Sequence, residues 1–173
     1  MSLVLPTAAF NKITDIGIEV LKKLNAKAVF LDIDNTLAHH GNPEPFDGAL
    51  DWTKKVIETG IEIVIISNNF SSRVKPFAQK FNLPFVSFAQ KPFPYSFYWA
   101  KKKLKNTVKN KECVVIGDQI FTDIIGANIL NIKSILVTPS INEETFSFIL
   151  RRRIERPIRK KMNRKKDSNG FVN

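Results

Sequence analysis

The chain has 173 residues, of which 43% are hydrophobic and 14 are Phe, enough for one domain with its own core and too apolar for a disordered chain. No apolar run approaches the ~20 residues of a membrane span, and Met1-Ser2-Leu3-Val4-Leu5-Pro6 lacks the basic segment and apolar length of a signal peptide. The net charge is +11, but residues 151–173 hold ten Lys/Arg against Glu155 and Asp167, a net of +8 that leaves +3 for residues 1–150, so any anionic partner is an argument about the tail.

Residues 10–24 are predicted as a helix, because Ile13, Ile16, Val20, Leu21 and Leu24 recur at helical spacing, with Asn11 or Thr14 as its cap. Residues 27–33 read as the first strand, an apolar run that ends in Asp32 and Asp34. A turn-rich loop follows from Ala38 to Asp47. Residues 49–58 form a helix closed by Gly60, and 61–66 a second strand ending in Ser67-Asn68-Asn69. A helix over 71–81, a short strand at Phe85-Val86 and a helix over 94–104 come next, with Pro94 acceptable in a first turn. Residues 112–116 form a fourth strand before Gly117-Asp118, 120–130 a helix and 133–137 a fifth strand. Cys113 lies in an apolar strand run, which reads as a small buried residue rather than a reactive thiol.

Strands alternate with helices, and the strand runs are Val/Ile-rich with little polar alternation, as in sheets buried on both faces. The prediction is an α/β fold: a doubly wound, Rossmann-like, parallel five-stranded sheet with right-handed crossovers. The loop after Leu37 is too short for a large cap domain. Residues 1–150 read as one domain and 151–173 as a basic tail.

Four strand ends carry polar residues: Asp32 and Asp34, Ser67, Lys91, and Asp118 with Asp123. Parallel strands bring these ends to one edge, where open α/β sheets bind ligands. Paired carboxylates there call for a cation. Lysine and hydroxyl or amide donors suit phosphate oxygens, so the set fits phosphoryl transfer. Each residue also has a plainer reading. Asp34-Asn35 suits a turn, Ser67-Asn68-Asn69 suits a helix cap, Lys91 suits a solvated charge, and Asp123 suits a cap. His39 and His40 are adjacent, point apart and lack a third ligand, so a solvated loop or substrate-facing rim is expected rather than a metal pair.

Together these residues resemble the haloacid dehalogenase-like (HAD) superfamily of phosphatases. Asp32-Ile-Asp34-Asn-Thr36 matches its DxDxT signature, Ser67 its second motif, Lys91 in Lys91-Pro92 its third, and Gly117-Asp118-Gln-Ile-Phe-Thr-Asp123 its fourth. The wording is similar, more narrowly, to the small capless class III phosphatases of the YqeG type and to the mitochondrial enzyme that dephosphorylates phosphatidylglycerophosphate. The resemblance implies that Asp32 is the nucleophile and that Asp34 is the general acid and base. It implies Mg²⁺ held by Asp32, the Asp34 carbonyl and Asp118, with phosphate held by Ser67, Asn68 and Lys91. It further implies that Asn35 and Thr36 present backbone amides to the phosphate, and that Asp123 orients Lys91 or a coordinated water.

In the tail, Phe146, Leu150, Ile154, Ile158 and Met162 recur every four residues among basic ones, although Pro157 is expected to kink or break a helix. The segment 146–166 is expected to associate peripherally with anionic phospholipid, or else to pack on the body, and 167–173 to be disordered. Basic residues without interleaved aromatics give no expectation of nucleic acid as a partner. The expected protein is cytoplasmic, or peripheral at the inner membrane surface, and dephosphorylates phosphatidylglycerophosphate. The alternatives are a phosphatase of a soluble sugar phosphate or nucleic-acid end, and a non-catalytic RNA- or ribosome-associated module.

Overall fold

The computed structural model describes residues 2–138 and 146–172, with residues 146–152 as backbone only. Six strands form one sheet: β1 (Ala8–Phe10), β2 (Ala28–Leu31), β3 (Glu62–Ile66), β4 (Phe85–Val86), β5 (Cys113–Gly117) and β6 (Lys133–Val137). Their order is β1-β6-β5-β2-β3-β4, and every pairing is parallel. The helices are α1 (Ile18–Lys23), α2 (Ala49–Glu58), α3 (Ser71–Phe81), α4 (Pro94–Lys102), α5 (Ile125–Ile129) and α6 (Phe146–Lys165). The chain folds as the expected Rossmann-like α/β sheet flanked by helices, and the described residues include no large cap.

Side chains alternate across the sheet. Val29, Leu31, Ile63, Ile65, Val114 and Ile116 pack beneath α1, α2 and α3. Phe30, Val64, Ile66 and Val115 face Phe97 and Ala100 of α4 and Ala127 of α5. Such two-sided burial explains why these strands show no polar alternation. Cys113 is fully buried, and burial pushes its thiol up to about 11, which agrees with an inert core residue.

Three expectations need correction. The sheet has six strands, not five, because Ala8–Phe10 pairs with β6 at the edge. The helix expected over 10–24 is instead a single 3₁₀ turn, Ile13–Asp15, followed by α1 from Ile18. Ile13, Ile16, Val20, Leu21 and Leu24 are all buried, so the spacing reported burial correctly while Phe10 was drawn into the sheet.

The third correction concerns the tail. Helix α6 continues through Pro157, and the chain beyond it returns to the body. Phe171 bridges Ala8, and Lys166 bridges Val172. Gly170 has φ +86°, and a Cβ there would lie 2.6 Å from the Phe10 ring. Residues 167–172 are thus packed rather than disordered. Met162 is buried and Ile158 packs beside it against Ile120, Ile124 and Leu136. These residues of the segment expected to associate with a membrane therefore face the body. Phe146 and Leu150 lie outside the described side chains.

Candidate active site

The site forms where β2, β3, β4 and β5 end. Central strand β2 is paired on both sides, and the chain leaves it at Asp32. A tight turn then reverses direction: Leu37 N and Ala38 N both donate to Ile33 O, at 2.8 and 3.1 Å. Asn35 sustains this turn at φ 56°, a conformation Asn tolerates better than most residues.

Asp32, Asp34, Ser67, Asn68 and Lys91 line a polar cavity of about 210 Å³ together with His40, Asn69, Gln119 and Thr122. Lys91 is buried and spans two carboxylates. Its Nζ donates to Asp32 Oδ1 at 2.8 Å and to Asp123 Oδ1 at 2.6 Å. Burial alone would lower its pKa, but the charges of Asp123 and Asp32 and their hydrogen bonds prevail and hold it above the ordinary lysine value. Burial raises Asp32 to about 7 against the attraction of Lys91, with Asp123 and Asp34 adding to the rise. Asp118 is raised well above its ordinary value, first by burial and then by the charges of Asp32 and Asp123. This crowding of negative charge strongly favours a bound cation.

Oxygens of Asp32, Asp118 and Asp123 all lie within 4.8 Å of one another. Asp118 Oδ1 is buried and accepts no hydrogen bond among the described residues. Three carboxylates with one orphaned buried oxygen fit a hard cation that takes oxygen ligands. The cluster contains Asp123, which the sequence suggested only as a supporting residue, and it does not contain the Asp34 carboxylate. That carboxylate is turned elsewhere: it accepts from Asn69 Nδ2, from Gly41 N at 3.1 Å and from Arg73 Nη2 at 3.3 Å. His40 Nδ1 lies 3.8 Å away, so His40 is on the rim of the site, while the ring of His39 packs edge-on against Phe46.

Other residues carry different tasks from those expected. Asn35 N donates to Ala38 O and Thr36 N to Ile33 O, so both amides are consumed by the turn instead of facing the cavity. Asn35 Nδ2 reaches Asp118 Oδ2 at 3.4 Å, making it a support for the carboxylate cluster. Asn68 clamps the main chain of Lys91, accepting from its N at 2.7 Å and donating to its O at 3.1 Å. Its side chain thereby fixes the lysine main chain at the edge of the cavity that Asn68 also lines. Ser67 Oγ is buried and accepts from Asn69 N at 3.2 Å.

Asp123 sits in a turn of π geometry, Ile120–Ile124, ahead of α5. It accepts from Gln119 N at 3.2 Å. A Cβ on Gly117 would lie 2.3 Å from Asp123 Cγ, so the glycine makes room for this carboxylate. The tail completes the arrangement. Glu155 is buried and its Oε1 accepts from Ile120 N at 2.9 Å. Arg159 donates to Glu155 Oε2 and, at 2.6 Å, to the carbonyl of Asp118. Asn69, Arg73, Glu155 and Arg159 were not legible as site residues. The available signal for the last two was an acid four residues before an arginine inside an otherwise basic run.

A lysine bridges two acids at the carboxyl edge of a parallel sheet, with a third acid beside them, the arrangement expected of a HAD-type phosphatase. The comparisons agree. The family model described as mitochondrial PGP phosphatase matches residues 1–142. The chain is 35% identical over 161 residues to "Probable phosphatase YqeG" of Bacillus subtilis (strain 168), covering 93% of this chain and 92% of that protein. Solved structures share the fold: NagD from E. coli K-12 at 13% identity, TM-score 0.56, covering 68% of this chain and 90% of NagD. An uncharacterised protein of Listeria monocytogenes serotype 4b is 20% identical at TM-score 0.55, covering 69% of this chain and 84% of its own. The chain belongs to the PGP phosphatase family of the HAD superfamily and is a phosphatase of the YqeG type.

Proposed function

We propose that the protein hydrolyses a phosphomonoester through an aspartyl-phosphate on Asp32, and that its substrate is phosphatidylglycerophosphate. The observation that carries the reaction is the buried contact of Lys91 with Asp32 and Asp123 beside Asp118. The family description supports the substrate.

An Asp32 oxygen attacks phosphorus, and the bond from phosphorus to the leaving alcohol breaks. Asp34, as general acid, gives a proton to that alcohol. Asp34 then takes a proton from water, whose oxygen attacks phosphorus, and the Asp32–phosphorus bond breaks to release inorganic phosphate. Asn69, Gly41 and Arg73 hold the Asp34 carboxyl for both transfers. Lys91 and Ser67 neutralise and orient phosphoryl oxygens. Mg²⁺ held by Asp32, Asp118 and the Asp34 carbonyl would supply the positive charge that lets an anionic nucleophile approach an anionic phosphate.

A cavity of about 210 Å³ admits a phosphoryl group and little more, which leaves the body of a substrate outside it. A lipid with its phosphate extended into water suits that shape. The test compares phosphate release from phosphatidylglycerophosphate in mixed micelles with release from a sugar phosphate and from phosphorylated oligonucleotide ends. The expected kcat/KM favours the lipid by at least about 100-fold, or roughly 2.7 kcal/mol. Equal or faster turnover of a soluble substrate would contradict the lipid assignment.

A further inference from the structure

Six large aromatic side chains are exposed on a stretch that flanks the site. Phe70 is 69% exposed, Phe88 55%, Phe93 58%, Tyr95 43%, Tyr98 54% and Trp99 56%. They follow β3 and β4, the strands that deliver Ser67 and lead to Lys91. Phe70 adjoins Asn69, whose side chain holds Asp34, and Phe88 N donates to Asn69 O at 2.7 Å. Phe93 stands two residues past Lys91. Apolar exposure grouped at the mouth of a site marks a contact surface, whereas scattered exposed residues do not.

The backbone supports the same reading. Phe88 has φ 48° and Gln90 φ 56°, a region that is strained for a bulky aromatic such as Phe88. This strained conformation sets Phe88 against Phe70, with ring centroids 5.5 Å apart and nearly parallel. Phe93 stacks on Tyr95 at 6.0 Å, and Tyr98 meets Trp99 edge-on at 5.8 Å.

Charge identifies the partner. Residues 63–111 contain ten Lys/Arg and no Asp or Glu. Lys101 and Lys102 form the last turn of α4, and Lys103 and Lys105 follow it toward the start of β3, where Lys105 N donates to Glu62 Oε2 at 2.7 Å. Lys102 Nζ lies 5.3 Å from the Tyr98 ring centroid. Aromatic rings beside lysines match the headgroup zone of a bilayer with anionic lipid. A protein interface is a poorer fit, since lysine is depleted from such contacts. Single-stranded nucleic acid needs free ring faces for base stacking, and Phe70, Phe88, Phe93 and Tyr95 already stack in pairs.

We propose that this face, aromatic beside the site and basic along the last turn of α4, docks the protein on an anionic phospholipid bilayer, bringing the mouth of the site to the membrane surface. The inference rests on the lipid-phosphate reading and deepens it. It also moves the membrane contact from α6, whose Ile158 and Met162 face the body, to the loops around the site.

The test uses the full chain with vesicles of phosphatidylcholine containing about one third phosphatidylglycerol, and with pure phosphatidylcholine vesicles. Trp99 is the reporter, because Trp52, the other tryptophan, is buried. The expected result is co-sedimentation with anionic vesicles only, with a blue shift of fluorescence that Trp99→Phe abolishes while binding persists. A Phe70→Ser, Phe93→Ser, Trp99→Ser variant is expected to lose at least about tenfold in vesicle partitioning. Its hydrolysis of a soluble aryl phosphate should stay within about twofold, which reports an intact fold. Absence of vesicle binding, or binding unchanged in the triple variant, overturns the proposal. So does a Trp99 response to single-stranded RNA without one to vesicles. Aryl phosphatase activity without vesicle binding defeats the docking surface alone, while vesicle binding without activity defeats the reaction alone.

Discussion

Lys91 Nζ lies 2.8 Å from Asp32 Oδ1 in a site where both residues are buried. The same ammonium reaches Asp123 at 2.6 Å, so one cation balances part of a three-carboxylate cluster. Lys91→Met is expected to leave those acids uncompensated and to cost about 3–5 kcal/mol of stability without added metal. Urea denaturation checks this. Activity should fall by at least about 10²-fold, and Lys91→Arg should restore neither property, because the planar guanidinium cannot replace a compact ammonium between two acids.

The raised pKa of Asp32 sets a pH dependence. Its carboxyl titrates at about 7 in the fold against 3.8 as the reference value. The folded state therefore holds this proton more tightly than the unfolded state. The associated stability is full below about pH 4 and is lost as pH rises to about 7. In metal-free protein, the melting temperature of wild type relative to Asp32→Asn should drop across that window. Magnesium must displace the proton, so its affinity should climb over the same range and level off above about pH 7. Calorimetry in buffers of different ionisation enthalpy would detect the released proton. A pH-independent affinity would contradict the prediction.

Arg159 is a positioning residue, acting through the Asp118 carbonyl that it binds at 2.6 Å. Arg159→Ala is expected to weaken magnesium binding by about 10–100-fold, with a matching loss of kcat/KM at low metal that excess magnesium restores. Arg159→Lys should recover part of the loss. For the same reason, removal of residues 151–173 should impair the site, since it also deletes Glu155, which holds Ile120 N at 2.9 Å.

Gly117 is predicted to tolerate no side chain. The added methyl of Gly117→Ala would meet Asp123 Cγ at 2.3 Å and force that carboxylate away from Lys91. The expected cost is about 1–3 kcal/mol in thermal or urea unfolding, together with a clear loss of turnover.

The sequence was most legible where the chain is repetitive and least legible where contacts are distant. Residues such as Val29, Ile63 and Val114 lie in runs buried on both faces, so their strands declare themselves. The acids and lysine at the strand ends follow from those strands. Strand β1 is three residues, Ala8–Phe10, too short to show a period, and it pairs with β6, more than 120 positions later. The task of Asn68 depends on Lys91, which stands 23 positions later. In the tail, charge masked structure. Glu155, Ile158, Arg159 and Met162 look like members of a solvated basic helix until Ile120 and Asp118, more than thirty positions earlier, become their partners.

The most direct measurement is magnesium-dependent phosphate release from a phosphomonoester by wild type and by Asp32→Asn, with circular dichroism to verify the fold. Removing the attacking oxygen should reduce turnover to background while the spectrum stays unchanged. Near-normal release by a folded Asp32→Asn variant would show that phosphorus is not attacked by Asp32 and would contradict the account at its centre.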